Sequence, residues 1–177
     1  FPTSYLWLVT SEDGTDWSAP RILNAQVKNS SETFYGVGPG RGLVTSSGRI
    51  IFPCYRHSGS FIPQERTSFI YSDDHGQTWR RTEDLSQTSS ETAVTEADGR
   101  LYAFTRTGSS ALSDRSALTY YTSSDNGTSW SGRMDASIDT WTACQMSAIT
   151  YTEKIDGRTA IILSAPSGSK RTNGRIY

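Results

Sequence analysis

Apolar positions along the chain come in short runs that a glycine or an aspartate soon interrupts. Tyr5 to Val9, Ser68 to Tyr71 and Leu118 to Thr122 each have strand length, and each leads into a polar turn. Ile50 to Tyr55, Leu101 to Arg106 and Thr159 to Ser164 are further β-rich runs. Each of these follows a hairpin-turn signal, Ser47-Gly48-Arg49, Asp98-Gly99-Arg100 or Asp156-Gly157-Arg158. No segment sustains the three-to-four-residue apolar period of an amphipathic helix. The pattern predicts an all-β chain of short strands joined by tight turns.

The turns repeat. Ser72-Asp73-Asp74-His75-Gly76-Gln77-Thr78-Trp79 and Ser123-Ser124-Asp125-Asn126-Gly127-Thr128-Ser129-Trp130 share the pattern Ser-x-Asp-x-Gly-x-(Thr/Ser)-Trp, and Ser11 to Trp17 is the same motif one residue shorter. The central aspartates, Asp13, Asp74 and Asp125, stand 61 and 51 residues apart. The repeating unit is strand, glycine turn, strand, loop, strand, aspartate turn, strand. Four short strands in a unit of about 50 to 60 residues is the signature of a propeller blade. About three such four-stranded blades are expected, cut at a common phase on both sides, which reads as a central piece of a longer propeller.

Composition narrows the picture. A net charge of −1 argues against nucleic acid or an anionic membrane surface as partner. Only 34% of residues are hydrophobic, yet there are five Trp and nine Tyr, which suits strands plugged by aromatics. No apolar run approaches the ~20 residues of a membrane span, and no signal peptide is visible. The spacing of Cys54 and Cys144 does not require a bond, and they read as two buried free thiols. Asn29-Ser30-Ser31 and Asn126-Gly127-Thr128 fit the N-glycosylation pattern, which matters only in a eukaryotic secretory host.

Several familiar chemistries do not fit. Asp73-Asp74-His75-Gly76 lacks the alternating oxygen ligands and distal glutamate of a calcium loop. Its aspartate reads as an acceptor for turn amides, its glycine as the positive-φ residue and its Trp as a plug. The cluster Gly36 to Gly42 contains Pro39 and precedes no helix, so it is no dinucleotide fingerprint. His57 and His75 have no metal-ligand spacing around them, and no Gly-x-Ser-x-Gly elbow exists. Neither a metal nor a cofactor is expected.

Taken together, Gly36 to Gly40, Ile51 to Tyr55, Ile70 to Trp79, Glu91 to Arg106, Gln145 to Ala148 and Ile161 to Gly174 resemble the bacterial sialidase (neuraminidase) family with repeated Asp-boxes. The likeness runs along essentially all of 1–177 and is nearest to the large secreted enzymes of clostridia and pneumococci. It implies a six-bladed propeller of which residues 1–177 form part, with Asp-boxes at 11–17, 72–79 and 123–130. The implied substrate is a terminal α-linked sialic acid on glycoproteins, glycolipids or oligosaccharides, and the implied location is secreted or cell-surface. The family holds the substrate carboxylate on three arginines, and uses an Asp acid/base and a Tyr nucleophile assisted by a Glu. On that resemblance Glu91 matches the assisting glutamate, Arg106 the second arginine, and Arg171 in Lys170-Arg171-Thr172-Asn173-Gly174 the third. Glu91 and Arg106 are 15 residues apart, one fewer than expected, because the Glu96 to Gly99 turn is tight. Nothing in 1–177 matches the acid/base Asp, the first arginine or the nucleophilic Tyr, so the piece alone is expected to be inactive.

The repeat adds to this without the family. Seven residues past each turn glycine stand Tyr55, Arg106 and Ser164, which should share one rim, so Tyr55 is expected to line the pocket. Gln145 opens the inner strand of the third unit, near the place of Glu91 in the second, and is the weaker lining candidate. Glu96, the rival carboxylate, is expected to be solvated beside its turn. Strand alternation should turn Arg56 to the opposite face from Tyr55. Tyr120 and Tyr121 read as strand packing. An intramolecular trans-sialidase and a non-catalytic sialic-acid-binding propeller are the competing functions.

Overall fold

The computed structural model describes residues 3–57, 65–86, 88–107, 118–136, 138, 143–167 and 171–177. Among them the backbone is strand and turn, apart from the single helical turn α1 (Asn24–Val27). The strands form four antiparallel sheets. The first pairs β1 (Trp7–Leu8) with β2 (Arg21–Ile22). The second contains β3 (Phe34–Val37), β4 (Leu43–Val44), β5 (Ile50–His57), β6 (Arg66–Ser72) and β7 (Arg80–Arg81), and both β3 and β4 pair with β5. In the third, β8 (Ser89–Ala97), β9 (Arg100–Thr107), β10 (Leu118–Ser123) and β11 (Met134–Ala136) lie in sequence order. The last is β12 (Ser147–Ile155), β13 (Arg158–Ser167) and β14 (Thr172–Ile176).

The expected four-strand unit is thus seen whole in the third sheet. In the second its inner strand is broken, because the glycine-rich stretch leaves the ladder between Val37 and Leu43. A Cβ on Gly42 would lie 2.4 Å from the Phe52 ring, so any larger residue there would have to push that ring aside. The outer two sheets hold two and three strands.

The predicted hairpins form as their residues require. Gly48, Gly99 and Gly157 have φ of 88°, 71° and 76°, and Asp98 and Asp156 before the latter two are also at positive φ. Two successive positive-φ residues match the right-handed twist of the strands they join. Neighbouring turns are stitched together at one rim. The Ser46 amide and hydroxyl donate to Glu96 at 2.7 and 2.5 Å, and the Thr159 hydroxyl donates to Asp98 at 2.7 Å. Glu96 is therefore a half-buried bracket between two sheets and not the solvated side chain expected of it, because the adjacent sheet brings Ser46 to it.

The aspartate turns lie at this same rim and are wired alike. Asp74 accepts from the Ser72 hydroxyl at 2.8 Å, from the Thr78 amide at 2.8 Å and from its hydroxyl at 2.5 Å, while the Gly76 amide donates to Ser72 Oγ at 2.8 Å. Asp125 repeats the arrangement with Ser123, Thr128 and Ser129. Asp13 accepts from the Ser11 hydroxyl and from the Thr15 and Asp16 amides. These bonds, led by the Thr78 hydroxyl, lower Asp74 to about 2. Burial pulls Asp125 upward, but the bonds from Ser129 and Ser123 outweigh it and also bring this carboxyl to about 2. Arg49 spans two turns: it donates to Asp73 at 2.7 and 2.9 Å, and to the Asn126 carbonyl and Thr128 Oγ1 of the next turn at 2.9 and 3.0 Å.

The core lies between sheets. Leu6 and Leu23 of the first unit pack on Tyr35, Cys54, Ile70 and Trp79. Ile51 and Phe69 pack on Val94, Leu101, Ala103 and Tyr121, and Phe104 and Leu118 on Met146, Ala148, Leu163 and Ala165. Trp79 is 4% exposed at the first of these junctions, and Trp130 stacks on Phe69 at 4.2 Å in the second. Each large side chain so buried contributes about 1.5–3 kcal/mol. Trp7 on the first sheet and Trp17 at the end of its aspartate turn, and Ile149, Tyr151 and Ile176 on the last sheet, remain exposed. Both cysteines are free, but only Cys54 is buried, with burial pushing its thiol up to about 12; Cys144 is half-buried, because the turn before β12 is less covered than a sheet junction.

Candidate active site

The ends of the strands opposite the turn rim carry the predicted side chains. β8 and β9 pair regularly from Ala97 and Arg100 back to Thr92 and Thr105, after which the register shifts before Ser89 pairs with Thr107. The extra residue lies at Ser90-Glu91, a β-bulge. Buried threonines pin it: Thr67 Oγ1 and Thr92 Oγ1 both donate to the Ser90 carbonyl at 2.9 Å, and the Thr67 and Thr92 hydroxyls lie 3.2 Å apart. This explains a Thr/Ser-rich strand in the interior, since hydroxyls satisfy the backbone that the bulge takes out of the ladder.

At the bulge Glu91 meets Arg106. Arg106 Nη1 donates to Glu91 Oε2 at 2.6 Å, a charge-assisted pair with side chains 26% and 22% exposed. Arg106 is not used up by this bond. Its Nε is enclosed and, like Ser90 Oγ, has no hydrogen-bond partner among the described residues.

Tyr55 belongs to the same group. Burial raises its phenol first, the charges of Glu91 and Glu65 add to the rise, and Arg106 partly offsets them. Its ring lies 5.1 Å from that of Phe34, which stacks on His57 at 5.0 Å. Among the described residues the Tyr55 hydroxyl makes no hydrogen bond to Glu91. Arg56 turns the other way, as alternation requires, and pairs with Asp84 at 2.6 Å and with buried Glu32 at 3.4 Å, beside Arg81. Tyr120 and Tyr121 pack within the third sheet and its junctions.

Gln145 and Arg171 meet elsewhere. With Ser147, Ser164, Pro166 and Arg175 they line a cavity of about 530 Å³ at the same end of the last sheet. Arg171 holds φ of 41° and makes no ion pair among the described residues; Lys170 of its motif lies outside those residues. The sheets carrying the two groups are neighbours, joined where the Thr95 and Thr150 hydroxyls lie 2.9 Å apart. No hydrogen bond or ion pair among the described residues links the two groups directly. One member of the first group had no mark in the sequence: Glu65, one residue before β6, which belongs to no repeat or motif. Its partners come from three other strands, and only the fold collects them. Among the described residues no cluster of three or more His, Cys, Asp or Glu could hold a metal, and no helix is long and apolar enough to cross a membrane.

Four-strand antiparallel units cored between neighbouring sheets, with an aspartate turn in each, are the architecture of a β-propeller. The chain belongs to the BNR repeat-like domain family, whose model matches residues 2–175. It is 36% identical over 189 residues to an anhydrosialidase of Macrobdella decora, covering all of this chain and 23% of that protein. It is 33% identical over 182 residues to Sialidase B of Streptococcus pneumoniae, covering 99% of this chain and 24% of that one. Among solved structures it is similar to the intramolecular trans-sialidase from Ruminococcus gnavus, with a TM-score of 0.82 and 32% identity over 99% of this chain and 36% of the other. The chain thus spans about a quarter of the length of these two curated relatives.

Proposed function

We propose that residues 1–177 form part of the catalytic propeller of an exo-α-sialidase acting on sialylated glycoproteins, glycolipids or oligosaccharides outside the cell. The observation that carries this reading is the Glu91–Arg106 pair at a pinned bulge, with Tyr55 alongside. A planar guanidinium suits a carboxylate because it can donate two parallel charge-assisted bonds. In this reading Arg106 and Arg171 grip the substrate carboxylate, and Tyr55 and Gln145 line the pocket. Glu91 draws the proton from a tyrosine that the rest of a longer polypeptide supplies. A neutral hydroxyl is the fitting nucleophile, because the anomeric carbon carries a carboxylate that would repel an anionic one. Attack through such a tyrosine, followed by attack of water, retains the anomeric configuration.

The test is turnover of a sialoside by the full-length protein. Glu91→Gln and Arg171→Ala should each lower kcat/KM by about two orders of magnitude or more. Near-normal turnover in both variants would remove the assignment. A second reading is favoured by similarity to proteins named anhydrosialidase and intramolecular trans-sialidase. There an oxygen of the substrate itself replaces water in the second step and an anhydro sugar is released. Mass spectrometry separates the two, since the anhydro product is lighter than free sialic acid by one water.

A further inference from the structure

Glu91 stands at a bulge, and one of the side chains that shape this bulge belongs to another sheet. Ser89 pairs with Thr107 and Thr92 with Thr105, so Ser90 and Glu91 together oppose the single residue Arg106. Backbone at a bulge has no full place in the ladder and takes its shape from whatever else it bonds. Here those bonds reach across to β6 and the residue before it. The Ser89 amide donates to the Glu65 carbonyl at 3.3 Å, the Thr67 amide to Ser89 Oγ at 3.2 Å, and Arg66 Nη1 to Thr88 Oγ1 at 2.9 Å. The Thr67 hydroxyl donates at 2.9 Å to the Ser90 carbonyl, which belongs to the peptide link leading into Glu91. Thr67 is itself fully buried, and its own carbonyl accepts from the Leu85 amide at 2.7 Å. It is a fixed post.

The Thr92 hydroxyl also lies 2.9 Å from the Ser90 carbonyl, and the two hydroxyls lie 3.2 Å apart. Each has one proton to give. Either both donate to that carbonyl, which has two lone pairs, or one donates to the other and the second holds the carbonyl alone. The two threonines differ in what they fix. Thr92 is on β8 and moves with the bulge, whereas Thr67 anchors the bulge to the neighbouring sheet. A catalytic group misplaced by about 1 Å loses up to about a hundredfold in rate. We infer that Thr67 is a positioning residue for Glu91, its hydroxyl holding the carboxylate where it meets the nucleophile while Thr67 itself touches no substrate. The inference rests on the sialidase reading above and adds to it a side chain that no repeat or motif marks.

The experiment is a double-mutant cycle in the full-length protein, with kcat and KM for an aryl α-sialoside measured per folded molecule. Thr67→Val keeps the shape of the side chain and removes its hydroxyl. It should lower kcat by about tenfold and leave KM within about twofold of wild type. Thr67→Ser, which keeps the hydroxyl, should bring kcat back to within about threefold. In a Glu91→Gln background Thr67→Val should add little further loss, because a residue that acts through Glu91 has nothing left to place. Tyr35→Phe is the structural control. It removes a buried hydroxyl 3.1 Å from Ser68 Oγ, beside Thr67 on β6 but on the other face of that strand, and should leave kcat unchanged. Should Thr67→Val not fold, Thr92→Val removes the other hydroxyl from the same carbonyl and should show the same kcat loss and the same non-additivity with Glu91→Gln. A wild-type kcat in Thr67→Val, no rescue by Thr67→Ser, or an undiminished loss in the Glu91→Gln background would overturn the role of Thr67 and leave the sialidase reading intact. Near-normal turnover in Glu91→Gln itself would instead remove the role of Glu91 on which the inference stands.

Discussion

The two rims of these sheets are built on opposite principles. At the turn rim the charged side chains named above are paired, though Trp130 Nε1 is buried without a partner among the described residues. Asp74 and Asp125 each accept several short bonds, Glu96 brackets Ser46, and Arg49 spans two turns. At the other end Ser90 Oγ and Arg106 Nε are buried and, among the described residues, unpaired, beside the Glu91–Arg106 ion pair. Unsatisfied buried polar groups are costly, and each calls for a water, an ion or a ligand to complete it. One rim stabilises; the other waits to bind.

This contrast can be broken by experiment. The largest effect on stability is expected from Trp79→Ala, which empties a junction between sheets. It should cost about 3–5 kcal/mol in denaturant unfolding, with turnover per folded molecule unchanged. Glu91→Gln should do the reverse, giving the turnover loss described above with an unfolding midpoint close to wild type. If both variants lose stability and activity in parallel, the division between rims is wrong. Gly127→Ala is a smaller test at the stabilising rim. Its φ is 81°, and a Cβ there would lie 2.7 Å from Ile51 of the neighbouring sheet, so about 1–3 kcal/mol of stability should be lost.

The mildest expected effect is acid sensitivity. Asp74 and Asp125 titrate at about 2 in the folded protein against an ordinary 3.8. A carboxyl lowered on folding stabilises above its unfolded value, and that contribution is lost as the pH falls through the folded one. Melting temperature should therefore drop between about pH 4 and about pH 2. In Asp74→Asn/Asp125→Asn that part of the drop should be shallower. Equal slopes would show that the aspartate turns do not hold the rim.

What the sequence disclosed follows the same division. The strands, the hairpin glycines and the aspartate turns were legible because their causes are local, each set by residues within a few positions of one another. The placing of Tyr55 and Arg56 on opposite faces was also legible, since alternation alone decides it. Glu65 was not, because its setting is made by Tyr55, Ser90, Glu91 and Arg106, which are near it only in the fold. The bulge at Ser90-Glu91 was hidden for the same reason. A run of Ser, Thr and Glu looks like a solvated strand until Thr67 on another sheet is seen to bond the Ser90 carbonyl. Glu96 was misread likewise, since Ser46 is 50 residues away.

The aspartate turns carry a consequence for how the chain finds its fold. Every partner of Asp13, Asp74 and Asp125 named above lies within four residues, so closing each turn orders very little chain. Hairpin-sized units form in about 1–10 μs, well before distant strands can meet. Three such seeds, spaced along the polypeptide, would fix the reversal of each outer strand pair in advance. The slower event is the docking of Ile51 and Phe69 against Leu101 and Val94, across which Arg49 then closes. The spacing of the boxes thus favours local turns first and docking between sheets afterwards.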